Sequence, residues 1–160
     1  MDKRRAKGIG SKAGLKAVAA GIIMGQIIMT VLSMNDGPFK AVAWFLNTEF
    51  IYNVIFFLIV AVIAGHLFGQ SASKAILINH KNYNLEGGKF SLFTLATSAT
   101  ISSCISFLIE GTDKIGTKGE TPISDYIVTP VFMVLLFGLI PALIVGYWFG
   151  KQIRKHLKFK

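Results

Sequence analysis

The chain has 160 residues, 52% hydrophobic and only 16% charged, and a net charge of +9. An ordinary soluble domain carries about 25% charged residues, so this chain lacks the polar surface to cover itself in water. Its mean hydropathy is +0.57. The cations lie between long apolar blocks, which argues against nucleic acid as the reason for the charge and for the positive-inside rule of membrane proteins.

About 20 apolar residues in a helix cross the roughly 30 Å hydrocarbon layer of a bilayer. Four stretches meet that length. The first runs from about Ala17 to Met34. Its basic flank, with Val31, Leu32 and Ser33 near its end, resembles a signal peptide. The stretch has an internal counterpart, which makes it a membrane helix. The segment Pro38 to Asn47 carries Phe39, Trp44 and Phe45, and is expected to lie half-buried at the outer interface. The second span runs from about Phe50 to Gly69, the third from Phe90 to Ile109, and the fourth from Tyr126 to Gly150. Inside a bilayer backbone polar groups must pair within their own segment, so the spans are helices. Pro141, with Gly138 one turn earlier, is expected to kink the fourth.

Orientation follows from the cations near the span ends. Of the 17 Lys and Arg, all but Lys40, Lys114 and Lys118 lie in the two tails or in the loop between spans two and three. Of the 8 acids, all but Asp2 and Glu86 lie in the other two loops. The reading is a multi-pass protein, of a bacterial inner membrane, with both termini cytoplasmic. The polybasic segment Lys3 to Lys16 is expected to lie as an arm on anionic inner-leaflet headgroups, and Lys151 to Lys160 to do the same.

An internal repeat is visible. Ala61, Gly65, Phe68 and Gly69 recur as Ala142, Gly146, Phe149 and Gly150, an offset of 81 residues. The same offset maps Ala13, Ala17, Gly21 and Gly25 of span one onto Thr94, Ser98, Ser102 and Ser106 of span three. The expected fold class is an all-α integral membrane protein with four transmembrane helices. It is a single domain over 1–160, built by tandem duplication of a two-helix hairpin (about 1–80 and 81–160) with a pseudo-twofold axis along the membrane normal. Spans one and three are expected to meet near that axis through their small-residue stripes.

The candidate site residues are polar groups in or near the spans. Thr94, Ser98, Ser102 and Ser106, with Gly21 and Gly25, form either a hydrophilic path or a helix-packing stripe. Packing is favoured, because no ionisable residue joins the stripe at mid-depth. Glu49 and Glu110 are candidates for an outer acidic ring with Asp113 and Asp125. His66 is a single imidazole whose repeat counterpart is Tyr147, and one His makes no metal site. Cys104, the only cysteine, reads as inert packing. Asn53 is placed to bond another helix. Catalytic, metal and cofactor signatures are absent from the sequence, so no enzyme, cofactor or metal is expected. Two functions remain. One is a small transport or permeation protein acting as a homo-oligomer. The other is a non-catalytic accessory, immunity or defence protein that binds a partner membrane protein.

Overall fold

A computed structural model describes residues 2–32, 51–115 and 121–156. The chain is all-helical over these residues, with four helices long and apolar enough to cross a membrane. They are α1 (Lys3–Leu32), α2 (Ile51–Leu77), α3 (Tyr83–Ser106) and α4 (Thr129–Lys155). Wider π-turns extend the bundle at Phe107–Gly111 after α3 and at Ser124–Val128 before α4. The interfacial segment Pro38 to Asn47 lies outside the described residues. α4 runs unbroken through Pro141.

The helices are longer than the apolar spans, and always at the basic end. The inner loop predicted between Gly69 and Phe90 shortens to residues 78–82, because α2 continues to Leu77 and α3 starts at Tyr83. Lys and Arg are good helix formers, and adding a turn to an existing helix costs little. Asn82 caps α3 by accepting a hydrogen bond from the Asn84 N–H at 2.9 Å. His80 turns the loop in the left-handed conformation (φ 52), while the Lys81 N–H reaches back to the Ala75 carbonyl at 3.0 Å.

The N-terminal arm is corrected by the structure. Residues Lys3 to Lys16 are not a separate arm but the first turns of α1, which packs on α2. Ala6, Gly10, Gly14 and Ala17 recur three or four residues apart on one buried face, and the cations point away from it. The Ser73 hydroxyl, fully buried, donates to the Ala6 carbonyl at 2.6 Å. Glycine makes this possible, since a methyl on Gly69 would stand 2.5 Å from the Gly10 oxygen and 3.2 Å from the Gly14 Cα. In a bilayer, burial supplies no drive between helices, so backbone approach of this kind does the work.

The second hairpin closes the same way. Gly146 meets Gly87, and Gly150 meets the Tyr83 backbone. Beside these contacts Phe90 stacks on Phe149, with ring centroids 3.9 Å apart and planes inclined by 16°. Ile76, Ile153 and Leu77 complete a core at the basic end. α4 buries no residue before Val145. Its first half shows Phe132, Leu136 and Ile140 to the surroundings, as a lipid-facing helix should.

The helices stand in sequence order around a square. α1 packs on α2, α2 on α3, α3 on α4, and α4 more lightly on α1. This corrects the expectation that spans one and three meet. They occupy diagonal corners, because the short loop at 78–82 makes α2 and α3 neighbours. The start of α1, the 78–82 loop and the end of α4 all gather at one end of the bundle.

Candidate functional site

The hydroxyl stripe of α3 is buried along its length. Ser98 is fully enclosed, and Ser91, Thr94, Ser102, Ser103 and Ser106 are nearly so. A hydroxyl in such surroundings must find an acceptor or incur a desolvation cost. Most find it in their own helix. Thr94 donates to the Phe90 carbonyl at 2.8 Å, Ser98 to Thr94 at 2.7 Å, Ser102 to Ala99 at 3.1 Å and Ser91 to Gly88 at 3.0 Å. Ser106 differs, donating across to Asn53 Oδ1 of α2 at 2.6 Å. Asn53 therefore bonds a neighbouring helix.

With their protons held by carbonyls, the back-bonded hydroxyls offer neighbours only acceptor lone pairs. The buried polar side chains among the described residues are all Ser or Thr, with no ionisable group. The stripe meets α4 at one end, where Ser91 lies against Gly146, and α2 at the other through Ser106 and Asn53. Gly21 and Gly25 are elsewhere. Among the described residues no neighbouring atom lies within 4 Å of where a Cβ would sit on either. The glycines set against the backbone of another helix are Gly10, Gly14, Gly65, Gly69, Gly87, Gly146 and Gly150, two or more turns nearer the basic end.

Of the two outer-ring acids, Glu49 lies outside the described residues. Glu110 sits half-buried in the π-turn after α3. Asp113 and Asp125 are exposed nearby, and Asp125 accepts from the Thr121 hydroxyl at 3.3 Å. Cys104 is on an exposed face of α3, not in the packing. His66 is exposed on α2 and tied on both sides, its Nδ1 2.8 Å from Ser11 Oγ of α1 and its Nε2 2.7 Å from the Gln70 amide nitrogen. With that amide donating, Nε2 accepts, and Nδ1–H donates to Ser11. Sequence reading placed His66 alone; Gln70 one turn on was the available signal, whereas Ser11 arrives only through the Gly10–Gly69 contact. No group of three or more His, Cys, Asp or Glu gathers among the described residues.

A second feature lies at the basic end. A cleft of about 540 Å³ opens between the 78–82 loop and the last turn of α4. Its lining is Ile76, His80, Lys81, Asn82, Tyr83, Asn84 and Arg154. The Arg154 guanidinium lies over the Tyr83 ring, 4.5 Å from its centroid. One helical turn away Lys151 sits over Tyr147 at 5.2 Å. The chemistry available here is recognition through cations and amides. The sequence offered no local sign of the cleft, because the loop and Arg154 meet only once the hairpins pack.

These features define a class: a four-helix polytopic membrane protein with two glycine-clamped hairpins. No family model, curated protein or solved structure matches the chain.

Proposed function

We propose that the chain is a non-catalytic membrane protein that acts by lateral association in the bilayer, with a second copy of itself docked on the Gly21–Gly25 face of α1. One observation carries this reading: Gly21 and Gly25 form a G-x-x-x-G step in an apolar helix, and nothing in the described chain lies against it. Within the chain, close helix contacts set glycine on glycine, as at Gly10 with Gly69 and Gly87 with Gly146. An unfilled glycine face therefore calls for another small-residue face. A second α1 supplies one through a self-complementary twofold contact. The accessory, immunity or assembly role fits a protein whose chemistry is packing. The basic end is read as cytoplasmic on the positive-inside rule. Duplication of a hairpin belongs to the same reading, supported by the matching clamps at Gly65 and Gly69 and at Gly146 and Gly150.

A transport role is the second reading, favoured by the hydroxyl face of α3. Its route would run between copies, since glycine contacts close the basic end of each hairpin. The deciding experiment counts subunits by single-molecule photobleaching in liposomes. Wild type is expected as dimers or larger, and Gly21→Ile with Gly25→Ile as monomers with unchanged helicity. If both associate equally, the glycine face is not the contact. Ion and solute flux from the same liposomes then separates the two roles, because the accessory reading requires none.

A further inference from the structure

We propose that the cleft at the basic end binds one phosphate-bearing anion, held by Arg154 and Lys81, with His80, Asn82 and Asn84 donating around it. The inference is separate from self-association and survives its failure.

Four observations carry it. First, the lining contains a guanidinium, an ammonium, an imidazole and two amides, and no carboxylate. Second, neither Arg154 nor Lys81 has an ion pair among the described residues, where the only salt bridge joins Lys89 to Glu86 at 3.5 Å. The described acids at this end are Glu86, engaged by Lys89 on α3, and Asp2, which accepts from the Arg4 N–H at 3.4 Å, and neither lines the cleft. Third, Arg154 is pre-positioned. The Tyr83 ring holds the guanidinium beside the cleft, 4.5 Å from its centroid, and a guanidinium can grip phosphate oxygens in pairs through its N–H groups. Fourth, the cleft stands at the right depth. Arg154 lies four residues past Gly150, and Tyr83 seven before Phe90, so the site is about 6–10 Å beyond the apolar spans at 1.5 Å per residue. That is the level of lipid headgroups. The volume of about 540 Å³ admits a phosphate with its attached alcohol.

The anion has two sources, a lipid headgroup or a free phosphate compound, and one experiment separates them. Purified full-length protein in a neutral detergent is titrated with phosphatidylglycerol, phosphatidylcholine or inorganic phosphate, and occupancy is read by native mass spectrometry. Wild type is expected to retain one phosphatidylglycerol in preference to phosphatidylcholine, and Lys81→Gln with Arg154→Gln to bind it roughly tenfold more weakly. The control is Lys74→Gln with Lys155→Gln, which removes equal charge from exposed positions at the same end and is expected to bind as wild type. Inorganic phosphate bound in the wild type and lost in the cleft variant, without lipid preference, keeps the site and assigns it to a free compound. Equal losses in the cleft and control variants would show diffuse attraction and overturn the proposal. Arg154→Lys guards against a folding artefact: it keeps the charge but loses the planar edge, and is expected to fall between wild type and the double variant.

Discussion

Adding one methyl group at Gly69 tests the glycine clamp directly. In Gly69→Ala the new Cβ would stand 2.5 Å from the Gly10 carbonyl oxygen and 3.2 Å from the Gly14 Cα. Carbon–oxygen contacts between close helices settle at about 3.3–3.6 Å, so α1 and α2 must part by roughly 1 Å. The obstructing atoms are backbone, and no side chain can swing aside. A gap of that size forfeits a quarter to a half of each dispersion contact along the seam. It also strains the fully buried Ser73 hydroxyl bond to Ala6, which is 2.6 Å long. The expected loss is about 1–3 kcal/mol. Gly8→Ala is the matched control: it adds the same methyl to an exposed position of α1 where no described atom lies within 4 Å, and is expected to stay within about 0.5 kcal/mol of wild type. Reversible unfolding in mixed micelles, followed by far-UV circular dichroism, reads both. Equal effects from the two substitutions would refute the reasoning, since only one position is crowded. Gly146→Ala, the counterpart in the second hairpin, should add to Gly69→Ala if the hairpins are separate seams.

The remaining predictions concern the polar groups and the topology. Ser98→Ala removes a hydroxyl already bonded to its own helix and is expected to be near neutral. Ser98→Leu overfills a fully buried position and should cost about 1–3 kcal/mol in the same unfolding assay, so lost activity in that variant would report misfolding. Asn53→Leu deprives Ser106 of its acceptor and should cost about 0.6 kcal/mol, the usual scale for such bonds between membrane helices. Ser73→Ala removes the bond that ties α2 to the Ala6 carbonyl, which keeps only its partner within the helix, and is expected to speed hydrogen exchange in the first turns of α1, with about 1 kcal/mol lost locally. For topology, Lys81→Cys in a Cys104→Ser background should react with a membrane-impermeant maleimide in inside-out vesicles and resist it in intact cells. The reverse pattern would invert the orientation.

The four helices were legible because a bilayer requires long apolar runs, and the charges between them marked where the runs stop. Helix ends were less legible. Lys3 to Lys16 and Lys74 to Lys89 look like loops by polarity, yet Lys and Arg support helix well. In this chain glycine and alanine at Ala6, Gly10 and Gly14 give those turns a packing partner in α2. The hydroxyl stripe was legible as composition, whereas the acceptor that each hydroxyl bonds is set by distances that no sequence carries. The basic cleft was illegible for a different reason. Arg154 and the 78–82 loop are ordinary surface charges when read singly, and their meeting is a product of how α4 packs on α3.

Helix register is where local pattern and packing part company. Held at an offset of 81, the sequence pairs Gly21 with Ser102 and Gly25 with Ser106. The contacts pair the first helices differently. Gly14 meets Gly65 as Gly87 meets Gly146, and Val18 presses on Gly65 as Ser91 presses on Gly146. α2 and α4 keep the offset of 81, whereas α1 and α3 correspond at 73 (Gly14 to Gly87). Apolar side chains set no register in lipid, because every position along the span is equally apolar. Register is fixed where two backbones can touch. Gly65 with Gly69, and Gly146 with Gly150, present one-turn gaps, and the partner helix slides until a small residue enters them. In the first hairpin Gly10 and Gly14 enter, which draws the clamp toward the basic end and carries Gly21 and Gly25 past it into open surroundings. The same preference for glycine against glycine thus closes one end of each hairpin and leaves the continuation of the stripe, at Gly21 and Gly25, with no partner among the described residues. The proposed association between copies rests on that stretch of α1.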